Sequence, residues 1–572
     1  MKFVQHFLIF CLVSLISYST LAQPFSHADT LRGSNGPGRD WWKVLHYDIT
    51  IKPDALTKTI EGKTVITFTA LKEDSCMQID LQDPLRIDSA IFDNILINNA
   101  DDQQHEFIVK VPKTLVPYLF KKDGNSYNYK LGFKCYPNDP TATRIYTLTI
   151  YYHGKPREAV KPPWDGGVVW SKDENNDPWI STACQDLGAS AWFPCKDIQS
   201  DEPDSGATVH IIVPDSLIGV SNGRLTEIKP LADGTTMYTW NVKAPINNYD
   251  IVPYIGKYVH FGEIYKGEKG DLDMDYWVLN YNLDKAKKQF KDATRMMKAF
   301  EYWFGPYPFY EDGYKLVEAP YLGMENQSAI AYGNDYQNGY LGRDPSHSNW
   351  GLKFDFIIVH ESGHEWFGNN ITTKDIADMW VHEAFATYSE ELFTDYYYGK
   401  QAGDDFVIGQ RRNIENKTTI IGPYGVNKGP VDDDMYYKGA NMIHTIRQVI
   451  NNDTLFRKIL RGLNTEFYHQ TVTTKQIEDY ITDQSHINLS KVFDQYLRTT
   501  QIPTLEYKID NYTLSYRWAD CIKGFNMPVT VNFKGTQFLH PTEQWRSISM
   551  YPEGDVNFSV DRNFYINTKK VK

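Results

Sequence analysis

Hydrophobic and polar residues alternate at every second position over much of the stretch from residue 41 to residue 261. Residues 64–68 and 145–151 show this alternation, which places successive side chains on opposite faces of a β-strand. Turn sequences rich in Asp, Gly and Asn, as at residues 123–125, separate such segments. The pattern predicts a large all-β N-terminal domain over residues 41–261.

The hydrophobic spacing changes to a helical period after residue 262. One stretch repeats at about 3.6 residues and stops at a glycine. Its apolar positions are Ala286, Phe290, Ala293, Met297, Phe300 and Phe304, followed by Gly305. Helical patterns continue to about residue 498, and short alternating segments return after residue 502. We therefore expect a multidomain α+β protein, with a mixed domain over residues 262–500 and a small C-terminal β-sandwich domain over residues 501–572.

Residues 1–22 have the features of a signal peptide. Lys2 supplies a positive charge, residues 7–16 are almost wholly apolar, and Ala22 ends a cleavage site of small residues. The apolar stretch is shorter than the about 20 residues that a bilayer requires, and no other segment predicts a transmembrane helix. We expect an exported chain, periplasmic or secreted, that begins with a flexible leader over residues 23–40.

Charge and cysteine content narrow the function further. The net charge of −13 argues against a nucleic-acid partner, because phosphate binding requires a basic surface. Five cysteines would remain after export, which leaves their pairing open and argues against a disulfide scaffold. They are Cys76, Cys135, Cys184, Cys195 and Cys521.

The most informative segment reads HESGH, from His360 to His364. Two histidines four residues apart lie on one face of a helix and can hold one metal ion, with Glu361 beside it. Zn²⁺ in hydrolases takes three protein ligands and one open position, and Glu383 on a second helix could supply the third ligand. The open position would hold the attacking water, with Glu361 as its base. Two partly exposed histidines on an amphipathic helix are the alternative.

Further motifs appear in a fixed order along the chain, and together they resemble the aminopeptidase N family of gluzincin zinc metallopeptidases. The resemblance runs from about residue 40 to about residue 500 and includes the eighteen residues between HExxH and Glu383. The matching segments are His46–Ile49, Cys184–Gln185 with Pro194–Cys195, Phe304–Pro308, Gly323–Asn326, Gly368–Thr372 and Tyr436–Gly439. The resemblance implies a thermolysin-like catalytic domain, one zinc ion per chain and a zinc-dependent aminopeptidase acting on peptides with a free N-terminus.

The resemblance also implies roles for individual residues. Tyr436 would donate to the oxyanion of the tetrahedral intermediate, although the adjacent Tyr437 remains a rival. Glu325 would bind the free α-ammonium of the substrate, and Gln185 would supply a neutral acceptor nearby. Gly323, beside Met324 in the substrate-binding strand, would allow the peptide backbone to approach closely.

Three positions depart from the family pattern. His382 replaces the usual Asn before the third ligand, Gly363 lies inside the helix, and Glu365 adds a carboxylate beside a ligand. Longer family members continue into a helical domain, and we expect none here, because the roughly 70 residues after residue 500 have a β-like alternation. We therefore expect a cleft that is more open to solvent.

Three alternatives remain open on the sequence alone. One branch of the family is an epoxide hydrolase, and the scaffold could also serve as a catalytically weak peptide-binding protein. An endopeptidase of the thermolysin kind shares HExxH, but it has no use for the amine anchor at Glu325. The preferred N-terminal residue and the oligomeric state cannot be predicted from the sequence.

Overall fold

The computed structural model describes residues 25–98, 120–123, 126–135, 142–429, 432–510, 512–533, 535–550 and 558–572. The predicted signal peptide at residues 1–22 lies outside the described residues. Within them, no helix is both long enough and apolar enough to cross a membrane.

The N-terminal domain is built from strands, as the alternation predicts. A seven-stranded sheet has the order β12-β13-β10-β1-β2-β7-β4, a four-stranded sheet the order β11-β14-β9-β8, and a three-stranded sheet the order β3-β6-β5. The strands are β1 Trp42–Asp54, β2 Thr59–Ala70, β3 Asp74–Asp80, β4 Arg86–Asn98, β5 Phe120–Asp123, β6 Ser126–Cys135, β7 Ala142–Gly154, β8 Gly167–Lys172, β9 Pro178–Ala183, β10 Ala207–Pro214, β11 Ile218–Val220, β12 Arg224–Pro230, β13 Thr235–Val242 and β14 Tyr254–Gly256.

Strand β1 shows how the sequence pattern becomes a sheet face. Val44, Tyr47, Ile49 and Ile51 are buried, and the register shifts between Val44 and His46. An extra residue of this kind is a β-bulge, which explains why the buried side chains change from even to odd positions. The bulge keeps one apolar face on the core although the strict alternation is interrupted.

The catalytic domain pairs a five-stranded sheet with a group of helices. The sheet order is β15-β16-β17-β19-β18, with β15 Tyr258–Gly267, β16 Gly270–Leu279, β17 Tyr314–Glu318, β18 Gly323–Met324 and β19 Ile330–Tyr332. Strand β15 begins before the boundary predicted at residue 261, because it pairs along its length with β16. A short two-stranded sheet joins β20 Ile371–Thr373 to β21 Gln470–Val472.

The helices follow the predicted period, with one interruption. Helix α1, His27–Gly33, lies in the leader. The helices of this domain are α2 Leu283–Gln289, α3 Lys291–Phe304, α4 Phe356–Gly363, α5 Trp380–Tyr398, α6 Lys400–Gln410, α7 Asp434–Ile450, α8 Asp453–Glu466, α9 Thr474–Ser485 and α10 Ser490–Arg498. The continuous helix predicted up to Phe304 is broken at Phe290, although all six apolar positions are buried. The predicted stop holds, because Gly305 has a φ of +97° at the C-cap of α3.

The C-terminal residues form two small sheets, in agreement with the predicted β-sandwich. One has the order β26-β23-β22-β28 and the other the order β25-β24-β27. The strands are β22 Thr504–Asp510, β23 Thr513–Ala519, β24 Val529–Asn532, β25 Thr536–Leu539, β26 Arg546–Ser549, β27 Ser559–Val560 and β28 Asn567–Lys570. Their inward side chains, among them Trp518 and Val531, belong to the same apolar core as the catalytic helices.

The leader differs from its prediction, because its described part is folded. Residues His27–Gly33 form helix α1, whose first turn is closed by a capping box between Ser26 and Asp29. Arg39 is fully buried, and its guanidinium contacts Asp80 at 3.1 Å. The composition of the segment resembles a linker, but these polar groups find partners on the folded domains.

Candidate active site

Two helices bring the predicted ligands together. Helix α4 begins at Asp355, whose side chain accepts the backbone N–H of Ile358, and it carries His360, with His364 as its C-cap. Helix α5 returns Glu383 to the same place. The Nε2 atom of His364 lies 3.4 Å from Oε2 of Glu383, and Nε2 of His360 lies 3.9 Å from that oxygen.

The geometry of this group fits a zinc ion. One ligand atom from each residue lies within 4.8 Å of the others. Among the described residues, Oε2 of Glu383 is a buried oxygen without a hydrogen-bond partner. Two imidazole nitrogens and a carboxylate oxygen around an unpaired charge form the donor set of a catalytic zinc site.

The second nitrogen of each imidazole is fixed by a neighbour. Nδ1 of His360 lies 2.8 Å from Oε1 of Glu390, and Nδ1 of His364 lies 3.1 Å from the carbonyl oxygen of Phe367. Both partners are acceptors, so each Nδ1 carries the proton and each Nε2 presents its lone pair to the site. The sequence analysis missed Glu390, although it lies seven residues after Glu383, on the same face of helix α5.

Glu361 points into the same cleft, next to an edge strand. Burial raises the pKa of the Glu361 carboxyl to about 7, which suits a group that accepts and returns a proton near neutral pH. Strand β18, which contains Gly323 and Met324, is the last strand of its sheet. A Cβ atom on Gly323 would lie 2.4 Å from Oε1 of Glu361, so a side chain there would displace the Glu361 carboxylate.

The two predicted substrate anchors, Glu325 and Gln185, line the same cleft as Glu383. The Tyr249 hydroxyl donates to Oε1 of Glu325 at 3.1 Å, and Glu325 is buried. Gln185, which was expected to present an acceptor near Glu325, instead uses its Nε2 to donate to Oε1 of Glu383 at 2.9 Å. Gln185 is therefore a neighbour of the third ligand as well as a residue of the cleft wall.

Tyr436 lies in the first turn of helix α7 and faces the ligands. Its ring stacks on that of His360, with centroids 6.2 Å apart. Burial, and then the negative charge of Glu383, raise the pKa of the Tyr436 hydroxyl well above its usual value, so it remains a proton donor. The Tyr437 hydroxyl also has a raised pKa, through burial and then Glu390, and Glu383 has no part in that shift. Both tyrosines line the cleft, and Tyr436 is the one whose ring stacks on His360.

The three departures from the family pattern are accommodated away from the ligand face. Nε2 of His382 accepts the backbone N–H of Thr373 at 2.9 Å, and burial lowers the pKa of this imidazole to about 3. A Cβ atom on Gly363 would lie 2.6 Å from Oγ of Ser389, so the glycine allows helices α4 and α5 to pack closely.

Glu365, expected to add a negative charge beside a ligand, is directed elsewhere. Its carboxylate accepts the Tyr307 hydroxyl at 2.9 Å and the Ser328 backbone N–H at 2.8 Å. Burial raises the pKa of this carboxyl to about 7. These bonds keep it out of the ligand group.

A cleft of about 370 Å³ between the N-terminal and catalytic domains is lined by His360, His364 and Glu383, together with Gln185, Glu325, Glu361 and Tyr436. Apolar side chains on its walls include Trp164, Leu322, Tyr340 and Phe356. Asp186 and Asp433 also line it. Neither residue was predicted, because nothing in the sequence around them marks a binding role.

A second buried cluster of similar residue types lies further along helix α5. It contains Glu391, Asp404 and His444, again with one ligand-type atom from each within 4.8 Å of the others. Here Nδ1 of His444 lies 3.1 Å from Oε1 of Glu391, and Nη1 of Arg447 lies 3.2 Å from the same oxygen. A cation of the chain itself is therefore already part of this cluster.

Comparison with known proteins matches both large domains to one family. Residues 43–249 match the peptidase M1 N-terminal domain, and residues 288–496 match the peptidase family M1 domain. Mouse endoplasmic reticulum aminopeptidase 1 is 23% identical over 485 residues, which cover 81% of this chain and 49% of that protein. Leukotriene A-4 hydrolase from Xenopus laevis is 22% identical over 392 residues, covering 63% of this chain and 61% of that protein. The chain thus spans about half to three fifths of the length of these relatives.

The fold is also found among solved structures. A variant of the M1 zinc metallopeptidase from Deinococcus radiodurans, solved with a Tyr-Ser-Ala substrate, aligns with a TM-score of 0.64 and 18% identity. The alignment covers 80% of this chain and 95% of that structure. At this identity the likeness concerns the fold, with an N-terminal β domain followed by a mixed catalytic domain.

Proposed function

This chain belongs to peptidase family M1, and from that premise we propose that it is a zinc-dependent aminopeptidase that releases the N-terminal residues of peptides. The observation that carries the proposal is the buried carboxylate of Glu325 in the same cleft as His360, His364 and Glu383. A buried carboxylate in a substrate cleft is stabilised by a cation. A peptide substrate supplies such a cation in its free α-ammonium group.

His360, His364 and Glu383 would hold the zinc ion, and Glu390 would orient the imidazole of His360. A zinc ion in such a site supplies Lewis acidity and makes water a nucleophile near neutral pH. Glu361 accepts the proton of the attacking water and passes it to the leaving amine. Burial raises the pKa of the Glu361 carboxyl to about 7, which is compatible with both proton transfers.

Substrate position follows from the edge strand and the two anchors. The peptide extends along β18 beside Gly323, so that its backbone adds to the sheet. Its ammonium group binds Glu325, and Gln185 lies across the cleft. Binding the substrate N-terminus in this way places the first peptide bond beside Glu361. This arrangement supports an aminopeptidase over an endopeptidase.

Tyr436 would complete the chemistry as a hydrogen-bond donor to the oxyanion. Its hydroxyl stays protonated because its pKa is raised. Removing one such donor typically lowers kcat by about 10² to 10³-fold. Export of the chain, predicted from residues 1–22, is also proposed; detection of the protein in the periplasmic or extracellular fraction would test it.

The function is tested with the zinc-loaded full chain and a peptide offered with a free or an N-acetylated end. We expect cleavage of the free peptide only, loss of activity with a chelator and recovery with Zn²⁺. The Glu361→Gln variant should keep one zinc ion per chain and lose nearly all turnover. Equal cleavage of the free and acetylated peptides, or near wild-type turnover by Glu361→Gln, would contradict the proposal.

A further inference from the structure

The cleft wall is strongly acidic. Seven carboxylates line it: Asp186, Glu325, Glu361, Glu383, Glu390, Asp432 and Asp433. Among the described residues that line the cleft there is no Lys or Arg, and the only other ionisable cations are the ligand-type histidines His360 and His364. The wall therefore carries more negative charge than one zinc ion and one substrate ammonium require.

Five of these carboxylates already have partners or roles. Glu383, Glu361 and Glu325 belong to the proposed metal site, the base and the amine anchor. Glu390 binds the imidazole of His360. Asp432 accepts backbone N–H groups of the preceding loop, the nearer at 2.9 Å. Asp186 and Asp433 remain.

Asp186 is held by its backbone and lines the cleft. Its carbonyl oxygen accepts Nδ2 of Asn427 at 2.7 Å and Nη2 of Arg32 at 3.3 Å. The residue follows Gln185 and has a φ of +59°, so the chain turns sharply at the cleft wall. The guanidinium of Arg32 also lies 3.5 Å from the carboxylate of Asp197.

Asp433 lines the same cleft. It is the N-cap residue of helix α7, but its side chain makes no capping bond. Its carbonyl oxygen accepts the backbone N–H of Tyr436 at 3.1 Å, which places it one turn from the proposed oxyanion donor. Neither Asp186 nor Asp433 has a side-chain hydrogen bond within the part of the chain that the structure describes.

Both carboxylates lie in the electric field of the metal site. Burial, and then the charge of Glu383, raise the pKa of the Asp186 carboxyl to about 6. Burial and the neighbouring acids, Glu383 among them, raise the pKa of Asp433. Like charges that converge on a concave wall attract a cation from solution.

We propose that this cleft selects peptides whose N-terminal residue is arginine or lysine, with the side-chain cation bound by Asp186 and Asp433. The inference rests on the proposed function, because it needs the ammonium group anchored at Glu325 and beside Gln185. A first residue held there starts next to Asp186, which is adjacent to Gln185 in the chain. An extended basic side chain of the substrate then lies between Asp186 and Asp433.

The test compares arginyl with citrullinyl substrates, since citrulline has the shape of arginine without its charge. With the zinc-loaded full chain we expect kcat/KM to favour arginine by about 10- to 100-fold, the range of a charge-assisted hydrogen bond. The preference should fall as the salt concentration rises. In the variant Asp186→Asn with Asp433→Asn, the arginine-to-citrulline ratio should fall to about one.

A matched control and a second readout keep the result interpretable. Glu227→Gln removes an exposed carboxylate from strand β12, away from the cleft, and should keep the wild-type ratio. Calorimetric binding of arginyl and citrullinyl peptides to zinc-loaded Glu361→Gln needs no turnover. If arginine binds more tightly but nothing is cleaved, the proposed function fails and the inference stands. If both peptides bind and react equally, or if the preference survives in the double variant, the inference is overturned while the aminopeptidase activity stands.

Discussion

Helix α5 carries two buried clusters built from the same residue types, and they have opposite electrostatic characters. Glu383, near its start, meets His360 and His364, while Glu391, two turns later, meets Asp404 and His444. In the described part of the chain, each glutamate keeps one oxygen without a hydrogen bond. Hydrogen bonding alone does not separate the two clusters.

The difference is the source of the positive charge. Arg447 lies against the second cluster, with Nη1 3.2 Å from Glu391 and Nη2 2.8 Å from Asp395. No Lys or Arg contacts Glu383 among the described residues, so its charge is left for an ion from solution. Residue types and mutual distances therefore identify two clusters that resemble metal sites. The cluster without an arginine or lysine of the protein is the one that we expect to bind zinc.

Removing one carboxylate from each cluster should show the largest difference between the two clusters. Glu383→Gln should abolish activity and lower zinc affinity by more than the about 10- to 100-fold that outer partners cost. Glu391→Gln should keep one zinc ion per chain. Zinc content after dialysis against a competing chelator measures both. Equal zinc loss in the two variants would contradict the assignment.

Removing the internal cation should destabilise the fold and leave the zinc site intact. Arg447→Met leaves Glu391 buried without its counter-charge, which typically costs about 3–5 kcal/mol in the free energy of unfolding. A fall in Tm together with an unchanged zinc content is the expected result. Lys458→Met on helix α8 removes an exposed cation and should leave Tm nearly unchanged. An unaltered Tm for Arg447→Met would show that the second cluster does not need its arginine.

The outer partner of His360 should have a smaller effect, confined to the first cluster. Glu390→Gln removes the charge that holds the Nδ1 proton of His360, and we expect zinc affinity to fall by about 10- to 100-fold. Competition with a fluorescent zinc chelator measures this change, with Glu227→Gln as the surface control. If Glu390→Gln binds zinc with wild-type affinity, the 2.8 Å contact between Glu390 and His360 does not affect zinc binding by His360.

The smallest expected effect concerns the packing of helix α4 on α5. Alanine at Gly363 would gain about 0.5–1 kcal/mol in helix propensity, but its Cβ would overlap Ser389. Since overpacking costs about 1–3 kcal/mol, we expect Gly363→Ala to destabilise by about 1 kcal/mol and Ser389→Ala to rescue it. Thermal unfolding of the two single variants and the double variant measures the coupling. Additive shifts in Tm would exclude the contact.

The sequence predicted the parts of the site that depend on spacing along a helix. His360 and His364 lie one turn apart, and the return of Glu383 follows from a second helix whose register the family pattern implied. The folded part of the leader was not predicted, because its polar composition gives no hydrophobic period. The break at Phe290 was also missed, since the apolar spacing continues across it.

The remaining site residues come from tertiary contacts that a linear pattern does not contain. Tyr249 reaches Glu325 from the N-terminal domain. Asp186 and Asp433 approach one cleft from loops distant in sequence. Gln185 was identified by resemblance, yet its contact with Glu383 required the structure. Periodicity describes elements and cannot specify which loops meet.

Helix α1 has a consequence for the order in which the molecule assembles during synthesis. The backbone N–H of Asn427 donates to the carbonyl oxygen of Asp29, and its side chain donates to the carbonyl oxygen of Asp186, 241 residues away in sequence. Contacts of such long range form late, because loop closure must precede them. Helix α1, which is synthesised early, therefore waits for a loop made much later. Because Asp432, Asp433 and Tyr436 of the cleft follow Asn427 in the chain, a nascent chain has no complete substrate site until most of its length has been translated.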